Sequence, residues 1–346
     1  MTAVLLTGGA GYVGSHTAKA LACAGFVPIA FDNLSNGHRS AVKWGPLVVG
    51  DLADGRLIRE TIRKYDTQAV IHFAADAYVG ESMSQPLKYF RNNVANTLSL
   101  LEALHDMRVR DVVFSSSCAT YGIPTKIPIP EDHLQCPVNP YGESKLVVER
   151  MLQWCGGAYD LGWVSLRYFN AAGADPAGEI GECHSPETHL IPLVIQAAIG
   201  ERRAVEIFGN DYQTQDGTAV RDYVHVTDLA DAHVRALEHL RRGGESRAFN
   251  LGTGEGRSVL EVVASVERVS SRPIASRKCP RRPGDPPILV ADSRAAREVL
   301  GWNPRYSDLE IIVRSAWRWH SPRVSLKREI GAVKIEVAAP PPDRTA

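Results

Sequence analysis

In "AVLLTGGAGYVGSHTAKALACAG" a short apolar run breaks at a glycine turn and passes into an amphipathic helical pattern closing at Gly25, and this exchange recurs along the chain. "VPIAF", "PLVV", "AVIHF" and "DVVFS" read as further strands, each followed by a turn and a helix-like stretch, and "WVSLRYFN" continues the series near residues 163–170. Such alternation predicts an α/β fold, with helices covering both faces of a doubly wound, Rossmann-type parallel sheet. Beyond about residue 175 the pattern is less regular, with helices expected near 189–200, 227–240, 258–269 and 307–319. The expected division is a dinucleotide-binding domain over 1–175 and a smaller C-terminal substrate-binding lobe over 176–321. "TDLADAHVRALEHL" and "AFNLGTGE" are candidates to rejoin the first sheet, and 322–346, ending in "APPPDRTA", is expected to be a flexible tail.

Composition narrows the class of ligand. Lys+Arg and Asp+Glu both number 39 among 346 residues, so no net field favours nucleic acid or an anionic membrane. The six cysteines lie far apart with no C-x-x-C and no Cys/His spacing of a zinc site, which argues against a disulfide scaffold or structural metal and for a reducing cytoplasm. No basic leader precedes the first glycines and no run of eighteen apolar residues occurs, so neither export nor a membrane span is expected.

The glycine turn is the first candidate site. Gly8, Gly11 and Gly14 fall three apart, and Gly9, Gly11 and Gly14 fit G-x-G-x-x-G. Either spacing lets amides at a helix N-terminus approach a pyrophosphate, although a tight β-α turn needs such glycines too. Asp32 closes the second strand 18 residues past Gly14, where a carboxylate accepts from an adenosine ribose and repels a 2′-phosphate, favouring NAD over NADP. Capping or a turn is the lesser alternative for Asp32, while an Asx turn would equally use Asp51, which the third strand otherwise brings near the adenine.

The second candidate is "NPYGESKLVVER", residues 139–150. Asn139 suits an N-cap, Pro140 the first helical position and Glu143 the positive end of the dipole, so Tyr141 and Lys145 leave one face of a helix a turn apart. A free phenol has a pKa near ~10, so use as a base near neutrality needs a shift of about three units, on the order of 4 kcal/mol. The lysine ammonium and an oxidised nicotinamide have the sign of charge for that. Ser115, Ser116 and Ser117 end a strand, where open α/β sheets bind ligands.

In order, "TGGAGYVGSH", "FDNLSNG", "HFAADAYVGES", "NNVANT", "FSSSCATYG", "NPYGESK", "LRYFNAAG", "IFGNDYQTQDGTAVRDYVHV" and "RRPGDPP" resemble the extended short-chain dehydrogenase/reductases, and within them the nucleotide-sugar 4-epimerases, over roughly residues 2–320. The resemblance implies NAD-dependent interconversion of UDP-glucose and UDP-galactose by a cytoplasmic homodimer, paired through helices near 84–106 and 140–155. It implies Tyr141 as catalytic base and acid, Ser117 beside the sugar 4-hydroxyl and Lys145 on the nicotinamide ribose. Cofactor contacts would come from Gly8, Gly11, Tyr12, Val13, Gly14, Asp32, Asn33, Asn36, Asp51, Leu52, Phe73, Ala74, Ala75, Asn92, Ser115, Tyr141, Lys145 and Phe169. Ser117, Asn170, His189, Leu190, Ile207, Phe208, Arg221, Arg282, Asp285 and Leu289 would hold the UDP-sugar, and no metal is implied.

Three positions depart from the family pattern. Ala77 stands where many members carry a lysine, His189 where an asparagine is common, and Leu289 where side-chain size gates 2-acetamido sugars. Cys118 and Ala119 after Ser117 replace the Asp-Glu pair that a 4,6-dehydratase needs. UDP-xylose/UDP-arabinose and UDP-N-acetylhexosamine epimerisation stay open, as does a non-catalytic NAD-binding scaffold or sensor, against which the intact serine, tyrosine and lysine speak.

Overall fold

A computed structural model describes residues 1–282 and 285–321; the expected tail lies outside them. Its centre is a seven-stranded parallel sheet of β1 (Ala3–Thr7), β2 (Val27–Asp32), β3 (Leu47–Val49), β4 (Thr67–His72), β5 (Asp111–Ser117), β6 (Gly162–Tyr168) and β7 (Arg247–Leu251). The order β7-β6-β5-β4-β1-β2-β3 reverses direction beside β1, so the cleft for a ligand opens over the carboxyl ends of β1 and β4. The doubly wound architecture expected from the alternation is present, and β7 comes from well beyond residue 175.

Both faces of the sheet are covered, which is why the strands are apolar runs rather than alternating ones. Val4 and Leu6 of β1 pack with Leu229, Leu237 and Phe249 on one side, while Leu5 joins Ile58, Leu104 and Val148 on the other. Each fully buried Leu or Val of this kind contributes about 1.5–3 kcal/mol. The helix Val226–Arg241 forms much of the first cover and rests on the helix Tyr12–Cys23. Trp302, wholly buried, locks it by donating its indole N–H to the Asp228 carbonyl at 2.8 Å.

The remaining residues build a smaller lobe around Ile195, Ile207, Val262 and Ile312. Its helices run Leu190–Ala198, Val259–Ser270 and 309–321, close to three of the four expected spans. The expected helix over 84–106 is interrupted: Val79–Ser84, Pro86–Tyr89 and Asn96–Met107 are α-helical, but Phe90–Ala95 is a π-turn. The extra residue is used. Asn92 lines the cleft, while Asn93 is buried, accepts from the Asp76 N–H at 2.8 Å and donates to its carbonyl at 2.9 Å.

Candidate active site

A single cleft of about 1310 Å³ runs from the glycine turn, over the ends of β4, β5 and β6, to the smaller lobe. That is more than one drug-sized molecule needs. At one end Gly8 has φ +72°, and a Cβ there would lie 2.7 Å from the Ala74 amide nitrogen. A Cβ on Gly14 would lie 2.3 Å from the Gly8 carbonyl oxygen. The helix Tyr12–Cys23 begins at Gly11 with no capping side chain and no acid in its first turn, so its leading amides and positive dipole end stay available to an anion.

Asp32 faces the same end. Its carboxylate accepts from Ala10 N–H at 2.9 Å and Leu34 N–H at 2.8 Å, which fixes both oxygens at the cleft wall, while burial raises its pKa. Asn33 donates to Asp51 at 2.8 Å, and Asn36, Leu52, Phe73, Ala74, Ala75 and Asn92 complete this wall. The open amides, the absent side chains and the Asp32 carboxylate held at the cleft wall fit a dinucleotide.

Deeper in, the helix Pro140–Tyr159 presents Tyr141, capped as its sequence requires by Asn139, whose side-chain oxygen accepts from Gly142 N–H at 2.8 Å. Ser117, Tyr141, Phe169 and Asn170 share the cleft floor. Lys145 does not reach its surface: Nζ is buried, donates to the Ser115 carbonyl at 2.8 Å and sits 5.8 Å from the Tyr141 ring centre. Ser115 is likewise behind the floor, its hydroxyl bonded to Tyr168.

The charge balance differs from the expectation for a phenol ringed by cations. Burial pushes the Tyr141 pKa well above its usual value, with Tyr168 adding to the rise and the Ser117 hydrogen bond opposing it. Burial also lowers Lys145 to about 7, opposed by Glu149. The lysine alone therefore leaves the phenol protonated near neutrality.

Lys145 carries a stability signature. Its folded pKa lies below the unfolded value of 10.5, so between pH 7 and that value the unfolded chain binds a proton the folded one lacks. Stability must rise with pH across this window, by up to about 1.4 kcal/mol per pH unit from this group. Lys145→Met is expected to flatten the slope in urea unfolding of cofactor-stripped protein at pH 7, 8 and 9. An unchanged slope would show that the buried ammonium is not its source.

At the far end Arg221 is ion-paired with Asp285, and the Arg282 guanidinium lies 4.0 Å over the Phe208 ring. Leu190, Phe208, Arg221, Arg282, Asp285 and Leu289 all line the cleft. Leu289 pairs in register with Arg221 and packs on the cluster holding Cys118 and Phe169. Ile207 corrects its expected role: strand alternation turns Glu206 and Phe208 outward, and Ile207, 3% exposed, enters the lobe's core. His189 lines the cleft, but its Nδ1 is held by Glu182 at 2.6 Å and Glu187 at 3.0 Å, leaving Nε2 as the ring nitrogen to offer a ligand.

Two groups of residues escaped the sequence reading. Glu149 and Arg167 form a buried ion pair beneath the floor, signalled only by the four-residue step from Lys145 to Glu149. Glu182, His184 and Glu187 gather around His189, where cysteine spacing gave no hint; the cue was two histidines and two glutamates within "GECHSPETH".

The NAD dependent epimerase/dehydratase family model matches residues 4–252, and the chain belongs to that family. Within it, the chain is 53% identical to a UDP-glucose 4-epimerase of Rhizobium leguminosarum bv. trifolii over 318 residues, 92% of this chain and 97% of that one. The crystal structure of UDP-glucose 4-epimerase from Brucella ovis in complex with NAD is 54% identical, with a TM-score of 0.90 over 92% of this chain and 98% of that one. A UDP-glucose-4-epimerase from Stenotrophomonas maltophila, with bound NAD and formylated UDP-arabinopyranose, is 39% identical, with a TM-score of 0.91 over 94% and 100%.

Proposed function

We propose that the chain interconverts UDP-glucose and UDP-galactose: C4 is oxidised, the 4-keto sugar turns over within the cleft, and C4 is reduced from its other face. One observation carries the reading. Ser117 and Tyr141 stand on the floor of a cleft that joins a pyrophosphate-ready helix end to two arginines of the smaller lobe. The glycine turn, Asp32 and Asp51 would hold NAD, which when bound would supply the hydride acceptor and, oxidised, a positive ring that favours a phenolate. Tyr141 removes the O4 proton and later returns it, while Ser117 holds the oxygen. Arg221 and Arg282 grip the diphosphate, since guanidinium forks bind phosphate oxygens bidentately, and they keep the sugar tethered while it turns.

Residues 1–175 serve as the cofactor half and 176–321 mainly as the sugar-nucleotide half. Met83, Leu87, Leu98 and Trp154 expose large apolar side chains on the segments expected to pair, and they support a homodimer. Dispersed cysteines favour the cytoplasm, and no helix among the described residues is long and apolar enough to cross a membrane.

The test is a panel of UDP-glucose, UDP-galactose, their N-acetyl analogues and UDP-xylose, assayed with no cofactor added. Fastest turnover of the UDP-glucose/UDP-galactose pair is expected; fastest turnover of UDP-xylose would favour the pentose reading, and no turnover the scaffold. Leu289→Gly should raise kcat/KM for the N-acetyl sugars relative to UDP-glucose by roughly tenfold or more, as expected for a few methylenes removed from a pocket wall. Unchanged selectivity would show that Leu289 is not the gate.

A further inference from the structure

The segment 182–189 draws four ligating side chains together at the cleft's rim. Glu182, His184, Glu187 and His189 each offer a ligand atom, and all four atoms lie within 4.8 Å of one another. Glu182 is 4% exposed on its side chain and Glu187 7%, so two carboxylates share a largely dry space. His184 Nδ1 lies 2.9 Å from Glu182 Oε1, and His189 Nδ1 lies 2.6 Å from the same oxygen. Zinc with nitrogen and oxygen ligands at about 2.0–2.2 Å would set such atoms about 3.4 Å apart, between the closest contact here, 2.6 Å, and the 4.8 Å limit.

A second observation is independent of the cluster's own hydrogen bonds. The Tyr78 hydroxyl is buried with no hydrogen-bond partner among the described residues, and its ring centre is 6.0 Å from that of His184. Tyr12, at the start of the cofactor-facing helix, also meets His184 edge-on at 6.3 Å. An orphaned hydroxyl on a ring that meets His184 edge-on leaves polar capacity unused beside this cluster.

We infer that Glu182, His184, Glu187 and His189 form a binding site for a divalent transition metal of the zinc class. Two imidazoles select such ions over magnesium or calcium, which prefer all-oxygen sets, and a dication neutralises the two carboxylates. All four ligands come from one stretch of eight residues, so the metal acts as a clip on this segment. The segment is fastened to the first domain already, His38 Nε2 lying 2.8 Å from the Cys183 carbonyl oxygen. A bound metal therefore stiffens the rim over Tyr12. The site stands whether or not the sugar assignment above holds.

The test treats the full chain with a chelator, removes the chelator and titrates it with Zn²⁺ alone, then with Co²⁺ as a spectroscopic reporter. One Zn²⁺ per chain is expected, with Co²⁺ giving tetrahedral visible bands and no thiolate charge-transfer band. His184→Ala and the nearly isosteric Glu187→Gln should each weaken Zn²⁺ by more than about tenfold, the lower end of what losing even an outer partner of a metal ligand costs. Cys183→Ser should bind like the parent. Absence of stoichiometric uptake, equal affinity in both ligand variants, or loss of binding in Cys183→Ser would each overturn the proposal.

Discussion

Tyr141→Phe is expected to lower epimerase turnover by about 10²- to 10⁴-fold, the usual range for removing a positioned proton-transfer group. The hydroxyl is its only deletion. The ring, which meets Tyr89 edge-on at 6.5 Å, keeps its packing, and Lys145 keeps the Ser115 carbonyl. The variant should therefore unfold at the parent's denaturant midpoint and purify with NAD. Turnover within a few-fold of the parent would refute the role given to the phenol. Loss of NAD would instead indicate that the hydroxyl matters for cofactor retention. Burial holds the free phenol's pKa high, so its acidity in turnover must come from the loaded site, and Lys145, at about 7, is a weak source of charge.

Glu149→Gln is expected to destabilise the fold by about 3–5 kcal/mol, the cost of leaving one member of a buried ion pair without its partner. Arg167 grips both Glu149 oxygens, with Nε at 3.0 Å from Oε1 and Nη2 at 2.6 Å from Oε2, and its other nitrogen donates to Tyr121 at 2.9 Å. Ser116 and Gln135 add bonds to the same carboxylate. Urea midpoints measure the loss. Adding Arg167→Met should recover most of it, because the stranded guanidinium charge is removed while the new amide keeps Ser116 and Gln135 as hydrogen-bond partners. A double variant no more stable than the single one would mean that the network, rather than the stranded charge, carries the energy.

Much of the fold was legible because a parallel sheet covered on both faces writes itself as apolar runs between amphipathic stretches. Asn139 and Pro140 likewise announce a helix start through local rules, and the structure keeps both roles. The π-turn at Phe90–Ala95 was not legible, since it depends on where Asn93 meets Asp76, seventeen residues away. Ile207 was misread because resemblance gives a position and not a facing, whereas alternation about Phe208 decides the facing. Lys145 was placed correctly on its helix, but spacing cannot reveal how dry a side chain becomes, so the strength of its charge effect was overestimated. The Glu182 to His189 cluster was missed for a related reason: its members meet only when an irregular segment doubles back, and irregular segments carry no periodicity to read.

The seventh strand has a practical consequence for anyone recombining relatives. β7, pairing with β6 along Val164 to Tyr168, is drawn from residues 247–251. A chimera spliced at residue 175 would make that seam from two different parents, and a fragment ending there would bare β6 as an open edge, inviting sheet-to-sheet association. Swaps that respect the molecule must carry the 226–251 stretch together with the amino-terminal half.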